Sequence, residues 1–186
     1  MIEILPQLLV NALIAGSIYA LASAGLSLTY GLLRILNFAH GHIMMVGVYF
    51  FYFLSDERKL SLIAATPLTI LFSAAFAALT LWIFILPFSR YSVMLTLVST
   101  MALGTILESA ISMIFGVNVK ALSIGSNIQS IEIRGVYITP IQITIIVSAL
   151  LLVGFVAFII HSTSIGRRIR AVSEDPYSAA SVGVSQ

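Results

Sequence analysis

The sequence predicts an all-α integral membrane protein with about five transmembrane helices, of which the second is short or interrupted. Of the 186 residues, 60% are apolar and only 9% are charged, whereas an average soluble domain is about 25% charged. Such a chain cannot cover its surface with polar groups, so its solvent is expected to be lipid. The apolar runs are close to the roughly 20 residues that cross a bilayer. We expect a single membrane domain over residues 1–186.

The first predicted span covers residues 8–30. The segment before it contains Glu3 and no basic residue, which argues against a cleaved signal peptide and for a retained anchor. Small residues recur every fourth position along this span: Ala12, Gly16, Ala20 and Ala24. This spacing lets another helix backbone approach closely, so it predicts packing within a bundle and names no function by itself.

The second predicted span, residues 38–54, is near the lower length limit for a crossing. Asn37 is a good N-cap, His40 lies in the first turn, and the polar run at 55–59 ends the span. The segment either crosses fully or is partly re-entrant. Because irregular backbone at membrane depth persists only inside protein or beside water, Asn37 and His40 are candidates for lining a path.

Thr66-Pro67 predicts the start of the third span, because Thr is a favoured N-cap and Pro a favoured first helical residue. This span, residues 67–86, is closed by Pro87 and is expected to face lipid over much of its surface. Thr139-Pro140 has the same pattern and predicts a fifth span at 140–160.

The fourth predicted span, residues 93–115, carries a polar face. Its members lie at steps of four and therefore share one side of the helix: Thr96, Thr100, Gly104, Glu108 and Ser112. Glu108 is the acidic residue placed inside a span, where a charge costs about 2.5–3.5 kcal/mol at the bilayer centre. It either lines a path, together with Thr100 and Gly104, or forms a buried hydrogen bond between helices.

Residues 116–139 form the longest polar stretch. Within it, residues 131–138 alternate apolar and polar side chains on either side of Arg134-Gly135. This pattern predicts a small hairpin on the membrane surface. The hairpin either docks a partner or is a packed loop.

The segment 161–186 differs in character from the spans before it. It begins with the cluster Arg167, Arg168 and Arg170, the densest basic group of the chain, which predicts a cytoplasmic location for this tail. Asp175 is suited to cap a short helix that ends at Gly183. Such a helix is too short to span and is expected to pack against another element.

Several function classes are not supported. The sequence contains no phosphate-binding Gly-x4-Gly-Lys-Ser/Thr loop and no paired metal-ligand spacing, and His40 and His42 point to different sides of a helix. The net charge of +2 is attributed to loops positioned by membrane orientation, with no nucleic-acid surface. We expect no enzyme active site, no cofactor and no metal.

Two separated motifs stand in order along the chain. The N-terminal motif comprises Gly16, Tyr19, Ala20, Leu21, Gly25, Tyr30, Gly31 and above all Asn37, Phe38, Ala39, His40 and Gly41. The C-terminal motif comprises Gly166, Arg167, Arg170, Ala171, Glu174, Asp175, Ala179 and Gly183. Together they resemble the branched-chain amino-acid permease family of bacterial ABC importers, in particular its first permease subunit, and the second motif is similar to that family's cytoplasmic coupling loop. Urea and short-amide permeases of the same superfamily share these motifs.

The resemblance implies a multi-pass protein of the bacterial inner membrane that moves branched-chain or other hydrophobic amino acids. It implies three kinds of partner: a second permease subunit, two cytoplasmic ATPase subunits that hydrolyse the ATP, and an extracytoplasmic solute-binding protein. The tail would then couple to an ATPase through these candidates: Gly166, Arg167, Arg170, Ala171, Asp175, Ala179 and Gly183. Alternatively, the arginines only set topology.

Members of that family continue beyond this point with further spans. The chain is therefore expected to be a fragment of a longer gene, with a natural truncation as the alternative. Two other functions stay open at this stage: a urea or short-amide permease, and a non-transporting membrane scaffold that binds partners through the 161–186 tail.

Overall fold

A computed structural model of the chain describes residues 4–33, 35–122, 130–133 and 135–174. They fall into two compact units, one formed by 1–34 with 125–186 and the other by 35–124. In the described part, four helices are long and apolar enough to cross a membrane: Leu5–Gly31, Leu62–Ser89, Val93–Phe115 and Pro140–Ser162. The predicted second span is shorter and is not among them. The all-α membrane class is confirmed.

The first unit contains the helices α1 (Leu5–Leu33), α5 (Pro140–Ser162) and α6 (Ser164–Glu174). Helix α1 packs along α5, and α6 contacts both. A capping box starts α5: Thr139 Oγ1 accepts from the Gln142 N–H at 3.3 Å, and Gln142 Oε1 accepts from the Thr139 N–H at 2.8 Å. The predicted start at Thr139-Pro140 is therefore confirmed.

A hairpin precedes α5 in the same unit. Strands β1 (Ile131–Ile133) and β2 (Val136–Ile138) pair antiparallel, with Ile133 opposite Val136. Gly135 in the connection has a φ of 79°, a conformation that glycine adopts without the steric penalty of a Cβ atom. The predicted small hairpin is confirmed.

The stripe of small residues on α1 does not pack as expected. Ala12, Gly16 and Ala20 are exposed, and a Cβ atom added at Gly16 would meet no atom within 4 Å. They border an open groove of about 490 Å³ whose far wall includes Leu150 and Val153 of α5. The stripe therefore lines an open groove in this chain and is not covered by another helix backbone at Gly16.

The second unit contains α2, α3 and α4. Helix α2 (His40–Tyr52) continues into a π-helical turn at Phe53–Glu57, and α4 covers Val93–Phe115. Helix α3 covers Leu62–Thr80, continues through a π-helical turn at Leu81–Ile85, and ends with Leu86–Ser89. Helix α2 packs against both α3 and α4.

The contact between α2 and α3 is aromatic and close. The rings of Phe50 and Phe72 stack with centroids 3.9 Å apart. A Cβ atom added at Gly47 would lie 2.7 Å from Ser73 Oγ, so the absence of a side chain there permits the approach of α3.

The predicted start and end of the third span are wrong. Helix α3 begins at Leu62 and contains Pro67 in its interior. Pro67 lies near the N-terminus, where the ring removes only one backbone bond. At the other end the helix passes Pro87. The π-helical turn precedes this proline and pairs the Leu86 N–H with the Leu81 carbonyl, so the wider turn accommodates the missing N–H of Pro87.

The other boundaries shift less. Helix α1 is longer than 8–30 at both ends, α5 ends at Ser162 where 160 was predicted, and α4 matches 93–115. The second helix begins at His40, two residues later than predicted, and its π-helical turn extends it past 54 to Glu57.

The tail differs from the expectation in one respect. Residues 164–174, which precede the predicted short helix, form the amphipathic helix α6. The predicted helix from Asp175 to Gly183 lies outside the described residues. The prediction of one membrane domain over 1–186 stays a prediction.

Candidate functional site

The turn that leads into α2 is held against α4 by side-chain hydrogen bonds. Asn37 Oδ1 accepts from the Ala39 N–H at 3.0 Å, and Thr100 Oγ1 accepts from the Phe38 N–H at 3.3 Å. Asn37 is 7% exposed, and Thr100 is fully buried. The two polar side chains therefore stabilise the irregular backbone at this point, which otherwise would leave buried N–H groups unpaired.

The polar face predicted for α4 is largely the buried face of the helix. Thr96, Thr100 and Gly104 are buried, while Glu108 further along is exposed. Helix α2 packs along this side of α4. The face thus changes from a packing surface at its N-terminal half to an accessible carboxylate in its C-terminal half.

His42 of α2 lies directly against Gly104. A Cβ atom added at position 104 would be 2.8 Å from His42 Nδ1 and 2.9 Å from Cε1. A side chain at position 104 would collide with the imidazole ring, so glycine creates the space that the ring occupies. The absence of a side chain at Gly104 therefore allows this position of the His42 ring.

From this position the ring reaches toward Glu108, with His42 Nε2 3.9 Å from Glu108 Oε2. The distance allows an ion pair when the histidine is protonated, but it exceeds a hydrogen bond. The Glu108 side chain is 68% exposed in this chain, and both of its predicted roles, in a path or in a hydrogen bond between helices, stay predictions. In a membrane helix such a carboxylate requires water, a solute or a neighbouring protein surface.

Two ring nitrogens in the first turn of α2 have unmet hydrogen-bonding capacity. His40 Nε2 and His42 Nδ1 are buried and have no hydrogen-bond partner among the described residues. Buried polar atoms in native structures usually have partners, including ordered water. The described residues contain no group of three or more His, Cys, Asp or Glu side chains that could hold a metal ion.

Of the five predicted path residues, the structure brings Gly104 and Glu108 together through His42, and it joins Asn37 to Thr100 through the turn before α2. His40 is the first residue of α2. Among the described residues, the ion-pair partner of Glu108 is His42 and not His40. His42 was given no role by sequence reasoning. One sequence signal could have found it: an acidic residue within a span is expected to meet a polar group, and the short second span contains a histidine at position 42.

The described coupling candidates on α6 have different surroundings. Gly166 is buried, and a Cβ atom there would collide with the carbonyl oxygens of Ile159 and Ile160. A guanidinium N–H of Arg170 donates to the Ile160 carbonyl. Arg167 is exposed, and Ala171 is half-buried. Asp175, Ala179 and Gly183 lie outside the described residues.

The comparisons with known proteins agree with this arrangement of apolar helices. The family described as the permease component of branched-chain amino acid transport systems matches residues 8–186. The branched-chain amino acid permease protein BraD of Pseudomonas aeruginosa is 29% identical over 181 residues, which cover 91% of this chain and 59% of BraD. The LivH proteins of Salmonella typhimurium and Escherichia coli are 28% and 27% identical, with 96% of this chain and 62% of each relative covered.

No solved structure matches the chain significantly. The chain spans about three fifths of the length of these curated relatives. The family match extends over residues 8–186 of this chain and therefore includes α2 and α4, with His42 and Glu108. The chain is a multi-pass membrane protein and belongs to the family of permease components of branched-chain amino acid transport systems.

Proposed function

We propose that the chain forms part of a permease subunit that imports branched-chain or other hydrophobic amino acids across the bacterial inner membrane. The family match over residues 8–186 carries this proposal. The relatives BraD and LivH are named as permease proteins of high-affinity branched-chain amino acid transport systems. In this assignment the chain transports and does not catalyse.

The proposed partners are a second permease subunit, two cytoplasmic ATPase subunits and an extracytoplasmic solute-binding protein. ATP hydrolysis takes place in the ATPases, and a rigid-body movement is transmitted to the spans. The tail that follows α5 is the proposed contact with an ATPase, and Arg167 is an exposed coupling candidate in α6. The same coupling role is proposed for the other candidates of the tail: Gly166, Arg170, Ala171, Asp175, Ala179 and Gly183.

Within the subunit, the side of α2 and α4 that presents Glu108 is the proposed wall of the transport path. An exposed carboxylate on a membrane helix is costly against lipid and favourable beside water or a cationic group. The ammonium group of a zwitterionic amino acid is such a group. The ring of His42 packs against Gly104, and its Nε2 atom lies 3.9 Å from Glu108 Oε2. The ring thereby limits the orientations of the carboxylate. Asn37, His40 and Thr100 are proposed to support this wall.

Uptake in the source cell tests the assignment. Deletion of the gene is expected to abolish ATP-dependent uptake of labelled leucine at low concentration, and excess isoleucine or valine should compete in the wild type. Competition by urea or acetamide, with none by valine, would instead assign a short-amide permease. Unchanged uptake of all these solutes in the deletion strain, with the wild-type protein still co-purifying with membrane partners, would support a scaffold and contradict transport.

A further inference from the structure

A second polar feature lies in the other unit, in a groove between α1, α5 and α6. The groove has a volume of about 340 Å³, within the range of roughly 300–1,000 Å³ that ligand sites occupy. Its wall is formed by Leu28 and Gly31 of α1 and by Val156 of α5. These side chains make most of its length apolar.

The cationic side of the groove lies near the end of α5. His161 is in the last turn of α5, and Arg170 and Ser173 line the groove from the second half of α6. Arg170 is half-buried and donates one N–H to the Ile160 carbonyl. A guanidinium group has five N–H donors in a fixed plane, so this bond orients Arg170 while donors remain for an anion.

The charge of the surrounding segment has one sign. Residues 161–174 contain three arginines and one glutamate, a formal charge of +2 with His161 neutral. Arg167 and Arg168 are exposed on α6. Helix α6 is strongly amphipathic and follows a membrane-spanning helix after a single connecting residue, which is typical of a helix lying in the membrane interface.

We propose that this groove binds one anionic phospholipid, with the phosphate at Arg170 and His161 and an acyl chain along Leu28 and Val156. The polarity of the groove changes from cationic to apolar along the direction in which a lipid changes from headgroup to chain. Basic pockets between membrane helices are a known setting for anionic headgroups, and arginine binds phosphate through two parallel hydrogen bonds. A zwitterionic lipid lacks the net charge that this end attracts.

Native mass spectrometry of the purified chain, after removal of lipid and addition of equal amounts of phosphatidylglycerol and phosphatidylcholine, tests the proposal. The wild type should retain phosphatidylglycerol about fivefold over phosphatidylcholine, which corresponds to about 1 kcal/mol. Arg170→Gln should bring this ratio close to one. Arg168→Gln removes the same charge from the same helix, outside the groove, and should leave the ratio unchanged.

A second variant tests the groove independently, because Arg170→Gln could change lipid retention by detaching α6 from α5. Ser27 of α1 also lines the groove, so Ser27→Phe should fill the groove and lower retention of both lipids while the arginines stay intact. Equal retention of the two lipids by the wild type would overturn the proposal. An equal fall of the retention ratio in Arg168→Gln and Arg170→Gln would also overturn it, because it would indicate general attraction to the protein surface. Full lipid retention in Ser27→Phe would do the same, because it would indicate that a protein segment occupies the groove.

Discussion

The imidazole ring of His42 rests on Gly104, with Nδ1 2.8 Å from where a Cβ atom at that position would lie. This contact places a titratable side chain of α2 beside the carboxylate of α4 without a hydrogen bond between them. The pair is therefore held by packing, and a single methyl group at position 104 is enough to disturb it.

Gly104→Ala is expected to destabilise the protein by about 1–3 kcal/mol, because the new methyl group forces the His42 ring or α2 to move. The measurement is the thermal unfolding temperature of the purified protein. Gly154→Ala is the matched control, since a Cβ atom there meets nothing within 4 Å. The His42→Ala/Gly104→Ala double variant should recover most of the loss; equal stability of the two single glycine variants would contradict the contact.

Glu108→Ala is expected to lower leucine uptake about three- to tenfold, the range that corresponds to one polar contact within a membrane. If His42 acts through Glu108, the His42→Ala/Glu108→Ala double variant falls no further than Glu108→Ala alone. Glu132→Ala removes an exposed glutamate of the hairpin and serves as control. Additive losses, or normal uptake with normal assembly in Glu108→Ala, would remove the pair from the path.

Gln7 of α1 anchors the hairpin through both backbone groups of one residue. Gln7 Oε1 accepts from the Tyr137 N–H at 2.8 Å, and Gln7 Nε2 donates to the Tyr137 carbonyl at 3.2 Å. Gln7→Leu should therefore speed hydrogen exchange at the Tyr137 amide about fivefold, in line with roughly 1 kcal/mol for the hydrogen bond that this amide loses. Asn11→Leu, which removes only the neighbour of Gln7, should leave that exchange rate unchanged.

Gly166→Ala is expected to detach α6 from the end of α5, because its methyl group would overlap the carbonyl oxygens of Ile159 and Ile160. Limited trypsin digestion measures this, since detachment exposes the bonds after Arg167 and Arg168. Cleavage should be several-fold faster than in the wild type. Ser164→Ala, at an exposed position in the first turn of α6, should digest at the wild-type rate; equal rates in Gly166→Ala would show that the helix tolerates the methyl group.

Local chemistry predicted much of the fold. The capping residue Thr139 marks a helix start in both sequence and structure, because a cap needs only its own first turn. Thr66-Pro67 had an equally good local pattern and failed. There the helix begins a turn earlier, at Leu62, so Pro67 lies inside it despite the backbone bond that a proline removes.

The sequence by itself determined that the chain crosses a membrane, where its longest apolar helices lie, and that Glu108 needs a polar neighbour, since these follow from composition and helical period. The tertiary structure decided which neighbour: His42 reaches Glu108 because Gly104 leaves room for its ring. It also decided that the small stripe around Gly16 stays open and that Arg170 turns inward to Ile160. Such choices depend on how two helices approach each other, and residue spacing along one helix does not specify that distance.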